Sequence, residues 1–537
     1  MIHNPIIKGF HPDPCICRAG DDYYIATSTF EWFPGVRIFH SRDLKNWKLA
    51  AMPLDTVDKL DMKGNPDSGG IWAPALSYAD GLFWLLYTDV KVVDAPWKNG
   101  RNYLVTAEHI DGPWCDPIPM GNGGFDPSLY HADDGKKFYV YRTWGPRHHS
   151  DPINDIVIQE FNPETQSLVS ERRTIFSGTE LKYTEAPHIY KKDGYFYLLT
   201  AEGGTSFEHH VTVARAKEID GPYALSPHGP LLSTWHTPNN PLQKAGHGSL
   251  VETPDGAWYI TYLVSRPLKF HDRPSLAKWG RGACSMGRET AIDRIEWQEG
   301  WPRVVGGNFA KQEIPEATHL AEVSDAESEA IFDDFSRESL QGHWQTLRIP
   351  FSDRLGSLSE RKGYLRLRGR DSLVSLFEQS TVATRWRHHE FVASTKLIFS
   401  ASNFQQSAGL CCYYNTSNWT YLAIEFDETL KRNCIRVMQV DKQVAHFYLY
   451  DDPIVVPNEA ESVWMRVNVS GLTYQYSYSF DGQTWCDVPV IFDAWRLSDD
   501  YIEGRGFFTG AFVGLHCADI SGFGCHADFE EFNYEPK

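Results

Sequence analysis

The N-terminal half of the chain repeats one hydrophobic pattern five times: a turn that contains aspartate, followed by a run of aromatic and aliphatic residues. The copy that begins at Asp193 continues Gly-Tyr-Phe-Tyr-Leu-Leu. The turn aspartates follow one another after 59, 54, 59 and 62 residues and are Asp21, Asp80, Asp134, Asp193 and Asp255. Each copy predicts a β-hairpin, and a period of this length predicts a five-bladed β-propeller with one sheet per blade.

A second repeated segment supports the propeller. Ile110-Asp-Gly-Pro-Trp recurs as Ile219-Asp-Gly-Pro-Tyr, two periods later and at the matching point of its repeat. Before residue 310, no segment of convincing length has the apolar spacing of a helix. The alternative is a β-sandwich with Asp-Gly turns at chance positions, but such turns would not be evenly spaced.

The hydrophobic pattern changes near residue 315. Residues 315–330 are polar and acidic, which predicts a linker. Beyond them, segments such as Tyr474-Gln-Tyr-Ser-Tyr-Ser-Phe alternate with period two and end in glycine-containing turns, which predicts a β-sandwich. A chain of 537 residues is too long for one ordinary core. We therefore predict an all-β protein with a propeller over 1–314, a linker over 315–330 and a sandwich over 331–537.

Composition narrows the range of partners. A formal net charge of −19 repels phosphate backbones, so nucleic acid is not expected. No stretch approaches the length of a membrane span. An aromatic content of 14% suits β-structure and pockets that stack sugars. The ten cysteines lack zinc-site spacing and the start of the chain lacks a secretion pattern, so we expect free thiols and a cytoplasmic location.

A reactive or aromatic residue lies eight positions before each turn aspartate. These five residues are Asp13, Trp72, Asp126, Glu185 and His247. If the repeats are blades, the five positions are equivalent, lie at the start of the innermost strands and converge at one end of the propeller axis. A single carboxylate would more simply be a solvated loop acid or a turn cap. Three at the same register favour a shared pocket.

Three carboxylates from three blades fit acid–base chemistry better than metal binding, because a hard-cation site usually takes clustered oxygens from one loop. Acid–base catalysis needs one carboxylate that stays ionised and one carboxyl that keeps its proton. A third anion nearby would raise the pKa of the acid. Glycoside hydrolysis uses such a pair of carboxyls, and Trp72 would offer a flat face to a sugar ring.

The segments around these residues resemble glycoside hydrolase family 43, and above all its two-domain β-xylosidases. The similar segments are HPDPCI, GGIWAPAL, GFDPSL, YTEAPH, GRETAI and FFTGAFVG. The resemblance implies a five-bladed propeller followed by a lectin-like, jelly-roll β-sandwich. It implies hydrolysis with inversion, which removes xylose, and often arabinofuranose, from chain ends. It also implies a homo-oligomer, either a dimer or a tetramer.

The resemblance assigns roles to residues that match its motifs. Asp13 resembles the general base that activates water, and Glu185 resembles the general acid that protonates the leaving oxygen. Asp126 resembles the third acid, which modulates the pKa of Glu185 and orients it. Arg288 resembles the arginine that holds sugar hydroxyls in the terminal subsite; without the resemblance, a surface or structural ion pair would be the preferred interpretation.

The remaining expected site residues are mostly aromatic. Trp72 and Phe30 resemble the apolar walls of the sugar subsite, with ordinary core packing as the alternative. One of Phe507 and Phe508 is expected to reach from the sandwich to wall the pocket; the alternative is a core strand. His247 resembles a histidine at the propeller centre, which in some members helps to hold a calcium ion through water. A hydrogen-bonded core histidine is the simpler interpretation, since calcium prefers oxygen ligands.

Together these expectations predict an inverting exo-glycosidase that releases xylose from the non-reducing end of β-1,4-xylo-oligosaccharides, with α-L-arabinofuranosidase side activity. No cofactor is expected to be required, although a calcium ion at the propeller centre is allowed. The expected partner is a small oligosaccharide. Two alternatives stay open: an enzyme that is mainly an α-L-arabinofuranosidase, and a carbohydrate-binding propeller without catalysis.

Overall fold

The computed structural model describes residues 1–93, 97–144, 155–270, 278–317, 328–502 and 506–537. Its regular structure is almost entirely β-strand, and the short 3-10 turns that it describes are Lys278–Gly280 and Ala494–Arg496. The predicted linker over 315–330 falls mainly on 318–327, which lies outside the described residues.

Five antiparallel sheets form the blades of the propeller, and the first strand of each lies innermost, because these first strands contact one another around the ring. Blades 1 and 2 consist of Cys15–Ala19, Asp22–Thr27, Arg37–Ser41 and Lys48–Ala51, then Gly70–Ala79, Leu82–Val92, Asn99–Ala107 and Ile118–Gly121. Blade 3 consists of Gly124–His131, Lys137–Thr143, Ile156–Asn162, Ser167–Leu168 and Arg173–Phe176. Blades 4 and 5 consist of Glu185–Lys192, Tyr195–Glu202, His210–Ala216, Ala224–Leu225 and Leu232–Ser233, then Gln243–Glu252, Trp258–Ser265, Glu289–Gln298 and Trp301–Val304.

Buried apolar clusters fill the spaces between neighbouring blades all around the ring. The second strands are nearly continuous apolar runs, such as Trp258–Ser265, because they are covered on both faces by the adjacent blades. The N-terminus closes the ring: Ile2–His3 pairs with Glu313–Ile314, and Ile7 forms a bridge with Thr290 in blade 5. The predicted five-bladed propeller is confirmed.

The C-terminal domain is a sandwich of two antiparallel sheets, as predicted. One sheet contains Gly356–Ser357, Leu365–Arg368, His526–Pro536, Glu390–Ile398, Val463–Ser470, Thr473–Ser479, Cys486–Asp493 and Ile331–Asp333. The other contains Val444–Tyr448, Arg432–Asp441, Asn418–Asp427, Gln406–Asn415, Phe512–Asp519, Ser380–Arg385, Gln345–Leu347 and Ile454–Val455. The inward side chains of the two sheets form one apolar core.

The two domains share a sheet. Trp32–Phe33, between two strands of blade 1, pairs with Gln345–Leu347 at the edge of the second sandwich sheet. The Trp32 ring stacks on Phe512 of that sheet, with ring centroids 3.6 Å apart. At Gly287 the sandwich backbone comes so close that a Cβ would lie 2.6 Å from the Thr509 carbonyl oxygen. The sandwich is therefore fixed against the propeller.

Candidate active site

A residue with positive φ recurs at one matching position, on or just before the inner strand, in every blade. These residues, with φ between 33° and 56°, are Asp13, Ala73, Asp126, Ala186 and His247. In blades 2 to 5 the residue lies where the ladder to the second strand shifts register, as at a β-bulge. Positive φ is uncommon for residues other than glycine, and such strain is concentrated at functional sites. The same strained position in all five blades therefore points to the axis as the site.

This geometry corrects one part of the sequence prediction. Asp13, Asp126 and His247 are equivalent, as expected, but the equivalents in blades 2 and 4 are Ala73 and Ala186. Trp72 and Glu185 lie one residue earlier, at the first edge of the register shift, where blade 3 has Phe125. Glu185 thus lies one register position before the one that Asp13 and Asp126 occupy in their blades.

The position of the aspartate within each turn explains why the prediction was one residue off in blades 2 and 4. Asp80 and Asp193 are the first residues of their two-residue turns, whereas Asp21 is the second residue of its turn. A fixed offset from the aspartate therefore lands one residue early in blades 2 and 4. A proline follows the positive-φ residue in four blades, and these are Pro14, Pro74, Pro127 and Pro187. Proline suits a bulge because no N–H is needed there, so the prolines mark the true register.

Asp13 is buried and held on both carboxylate oxygens. The Ser28 hydroxyl donates to Oδ2 at 2.6 Å, and Arg288 Nη1 donates to Oδ1 at 3.0 Å. His247 Nδ1 lies 3.5 Å from the same Oδ1. Burial alone would raise the pKa of Asp13, but Arg288, helped by His247 and Ser28, holds that pKa below its ordinary value. Asp13 is therefore an ionised carboxylate at neutral pH.

Glu185 has a different environment. Its Oε2 accepts a hydrogen bond of 2.6 Å from Arg142 Nη1, and both side chains are largely buried. Burial raises the pKa of Glu185, Arg142 opposes that rise, and the charge of Asp13 adds to it, so the pKa lies above its ordinary value. Sequence reasoning missed Arg142, which lies on the second strand of blade 3. A charge that ends the apolar run Phe-Tyr-Val-Tyr in a central strand was the available signal.

Asp126 lies beside Glu185. Its Oδ2 accepts the backbone N–H of Ala186 at 3.1 Å, which places the aspartate against the residue that follows Glu185. Burial raises the pKa of Asp126 well above its ordinary value, and the charges of Glu185 and Asp13 raise it further. Glu185 and Asp126 are both buried and lie side by side, so the two carboxyls titrate as a pair. The pair keeps a proton in the pocket at a pH where Asp13 has lost its own.

The pocket wall combines both domains. Phe508 of the sandwich stacks on Phe30 with ring centroids 6.2 Å apart, and meets Trp72 edge-on at 5.8 Å. Arg288 Nη2 donates to the Phe508 carbonyl at 2.7 Å, while its guanidinium lies over the Phe30 ring. Phe507 packs instead against the apolar core of the sandwich. Phe508, not Phe507, is therefore the aromatic residue that faces the propeller.

Ser68 aligns two parts of this wall. Its hydroxyl accepts the backbone N–H of Phe508 at 2.9 Å, and its carbonyl accepts the Trp72 indole N–H at 2.8 Å. The backbone N–H of Ser68 donates to the buried carboxyl of Glu31 at 3.0 Å. One buried serine thus sets the distance between a propeller tryptophan and a sandwich phenylalanine. Sequence reasoning did not single out Ser68.

His247 lies beside Asp13, with two further histidines near it. Burial lowers the pKa of His247, and lowers the pKa of both His188 and His209 to about 3, so all three rings are neutral at physiological pH. A Cβ on Gly246 would lie 2.3 Å from the His209 ring, which explains glycine there. Within the described ranges, no group of three or more His, Cys, Asp or Glu side chains is arranged to hold a metal ion. These nitrogen donors do not suit calcium directly, and the water-bridged ion stays a prediction.

An ionised carboxylate beside a carboxyl pair that keeps a proton is the arrangement that glycoside hydrolysis uses. The chain belongs to glycosyl hydrolases family 43, whose sequence profile matches residues 2–302. The profile of a β-xylosidase C-terminal concanavalin A-like domain matches residues 332–535.

Individual relatives match along the whole chain. A β-xylosidase of Bacillus subtilis (strain 168) is 49% identical over 536 residues, which cover 100% of both chains. Xylosidase/arabinosidase 43B of Humicola insolens is 42% identical over 543 residues, covering 100% of this chain and 98% of that one. The crystal structure of a xylan β-1,4-xylosidase from Bacillus halodurans C-125 superposes with a TM-score of 0.94, at 46% identity and with 100% of both chains covered. Within the described residues there is no helix long and apolar enough to cross a membrane.

Proposed function

We propose that this protein is an inverting exo-glycosidase that releases xylose from the non-reducing end of β-1,4-xylo-oligosaccharides. The observation that carries the proposal is that one pocket holds Asp13, paired with Arg288 and with a lowered pKa, and the adjacent Glu185 and Asp126, whose pKa values are raised. The similarity to a Bacillus β-xylosidase and a Bacillus xylan β-1,4-xylosidase supports xylose as the sugar.

The proposed roles follow from these environments. Asp13 is the general base that takes a proton from the attacking water, since its pKa favours the ionised form. Glu185 is the general acid that protonates the leaving oxygen. Asp126 modulates the pKa of Glu185 and orients the residue through the Ala186 N–H. Inversion requires a water between base and sugar, and therefore carboxyls about 6.5–9.5 Å apart.

Sugar binding is assigned to the remaining pocket residues. Arg288 would donate to sugar hydroxyls, and its buried Nε has no hydrogen-bond partner among the described residues. Phe30, Trp72 and Phe508 would form the apolar walls. His247 would lie under the sugar and donate or accept one hydrogen bond as a neutral ring. Phe507 is a positioning residue for Phe508 in this proposal.

Exo action follows from the wall that the second domain contributes. The Phe508 backbone is tied to the propeller at both its N–H and its carbonyl, through Ser68 and Arg288. This fixed wall would stop a polymer from passing through the site, so that only a chain end enters.

Two substrates with different leaving groups distinguish the proposed roles of Glu185 and Asp13. Glu185→Gln should lose about 10²–10⁴-fold in kcat on xylobiose, whose leaving group needs a proton. The same variant should lose far less on 4-nitrophenyl β-xyloside, whose leaving group departs as an anion. Asp13→Asn should lose activity equally on both, because water must be activated in each case. Equal losses for Glu185→Gln on the two substrates would contradict its assignment as the acid.

A second candidate activity is α-L-arabinofuranose hydrolysis, favoured by the name of the Humicola relative. Comparing kcat/KM on 4-nitrophenyl β-D-xyloside and 4-nitrophenyl α-L-arabinofuranoside decides which activity is the main one. We expect the xyloside to be preferred and the arabinofuranoside to be a measurable side substrate. Preference for the arabinofuranoside would reverse the assignment.

Hydrolysis should need no metal, so treatment with a chelator should leave kcat/KM unchanged. A loss of activity that calcium restores would instead establish the water-bridged ion.

We also propose a compartment and an oligomeric state. All ten cysteines are free thiols, which supports a reducing, cytoplasmic compartment. We propose a homo-oligomer, a dimer or a tetramer, which light scattering would distinguish from a monomer.

A further inference from the structure

A cleft of about 870 Å³ lies between the propeller and the sandwich, lined by residues of both domains. Its described lining carries four arginines and three lysines against one carboxylate, and these are Arg37, Arg337, Arg385, Arg387, Lys8, Lys45, Lys48 and Glu329. Lys45 pairs with Glu316 outside the lining, so the arginines carry most of the excess positive charge. The carboxylate already pairs with Lys8 and His388. The chain as a whole has a net charge of −19, so the charge of this cleft is opposite in sign to that of the whole protein.

Two of these arginines are almost fully buried. The exposed fractions of Arg37 and Arg385 are 5% and 3%. Arg37 Nη1 donates to the Gly342 carbonyl at 2.8 Å, and Arg385 Nε donates to the Phe10 carbonyl at 2.6 Å. Within the described ranges neither guanidinium pairs with a carboxylate, and Arg37 Nε and Arg385 Nη2 have no hydrogen-bond partner. A buried charge without a counter-ion is costly and calls for an anion.

The neighbouring charges make the cost larger. Burial and the charge of Arg387 lower the pKa of Arg37 to about 9. Burial lowers the pKa of Arg385 well below its ordinary value, and Arg37 and Arg387 lower it further. His11, in the same lining, has its pKa lowered by burial and by these three arginines, so it stays neutral and adds a donor or acceptor without charge. The three arginines thus repel one another.

We propose that this cleft binds a small phosphate group, with Arg37 and Arg385 as its main ligands. A planar guanidinium presents paired N–H donors that match the oxygens of phosphate, and a dianion can pair with more than one arginine at once. A neutral xylo-oligosaccharide would leave the arginine charges uncompensated. The ligand is therefore chemically distinct from the substrate of the propeller pocket.

A bound phosphate would tie the domains together. Arg37 lies on a propeller strand and bonds the sandwich backbone, while Arg385 lies on a sandwich strand and bonds the propeller backbone at Phe10. The Phe10 ring contacts Phe30, with centroids 5.6 Å apart, and Phe30 walls the active-site pocket. The phosphate site thus stabilises domain docking directly and the sugar pocket through one aromatic contact.

The test is calorimetric and uses the full-length protein. The Tm should rise by at least about 2 °C in potassium phosphate relative to potassium chloride at the same pH and ionic strength, and the rise should saturate. Isothermal titration with inorganic phosphate should give one site per chain. Arg37→Gln should weaken phosphate binding at least tenfold, while the exposed Arg294→Gln in blade 5 should leave it unchanged.

A second variant and a second ligand keep the proposal testable if Arg37→Gln does not fold. Arg337 lines the cleft but is exposed, so Arg337→Gln should fold and should weaken phosphate binding about threefold even if Arg37→Gln fails to fold. Glycerol 3-phosphate that binds tighter than inorganic phosphate would identify an ester as the ligand, and equal binding would identify the free ion; either supports the site. Equal Tm in phosphate and chloride, or equal phosphate affinity in all variants, would overturn the proposal without affecting the proposed hydrolysis.

Discussion

The Arg142–Glu185 contact offers a direct way to move the proposed acid's pKa without touching the acid. Arg142 donates to Glu185 Oε2 at 2.6 Å, with only 10% and 14% of the two side chains exposed. Arg142→Met keeps much of the side-chain length and removes the charge. Burial and the charge of Asp13 raise the pKa of Glu185, and the variant removes Arg142, the main group that lowers it.

The size of the shift can be worked from the contact. A hydrogen bond to a charged group contributes about 1.5–3 kcal/mol. One pKa unit corresponds to about 1.4 kcal/mol, so the pKa of Glu185 should rise by about 1–2 units. The protonated acid is the active form, so the basic limb of the pH profile of kcat/KM should move upward by the same amount. We also expect kcat to fall about tenfold, because Glu185 loses the group that orients it.

The assay is the pH dependence of kcat/KM on xylobiose, whose leaving group requires protonation. Arg294→Met, at an exposed position of blade 5, is the control and should leave the limb unchanged. Thermal unfolding of each variant checks that the comparison is between folded proteins. A basic limb that stays in place or moves to lower pH in Arg142→Met would refute Glu185 as the proton donor.

Three further predictions concern the same pocket. Asp126→Asn removes the carboxyl that titrates together with Glu185 and whose ionised form would disfavour ionisation of Glu185, so the basic limb of kcat/KM should move to lower pH; an upward move would contradict its modulating role. Phe508→Ala should raise KM for xylobiose at least tenfold and Phe507→Ala should change mainly the Tm, and equal KM effects would contradict the assigned wall. Gly246→Ala should destabilise the fold by about 1–3 kcal/mol in urea unfolding, because its Cβ would overlap a histidine ring, whereas Gly123→Ala should cost less.

The repeat of the propeller was readable from sequence because each blade is one hairpin-forming unit whose turn signal recurs. The sequence predicted the register of the strands within a blade less accurately than the number of blades. Asp80 and Asp193 occupy the first turn position and the other turn aspartates do not, so a count from the turn misplaced Trp72 and Glu185 by one residue. The prolines after the strained residues carry the better signal, because they depend on the bulge itself.

The supporting residues of the site could not be predicted in the same way. Arg142 comes from a second strand, and its partner Glu185 is 43 residues away in sequence. Ser68 meets Phe508 across 440 residues, so only the folded interface between domains brings the two together. Such contacts depend on how blades and domains pack. Local periodicity predicts the strands but leaves this packing undetermined.

The central claim is that Asp13 and Glu185 hydrolyse the glycosidic bond in one inverting step. Proton NMR during early turnover of xylobiose or xylotriose by a high enzyme concentration tests it most directly, before mutarotation equilibrates the sugar. Inversion predicts that α-xylose forms first from the β-linked substrate. If β-xylose appears first, hydrolysis proceeds with retention through a covalent intermediate, and the assignment of Asp13 as a base for water is wrong.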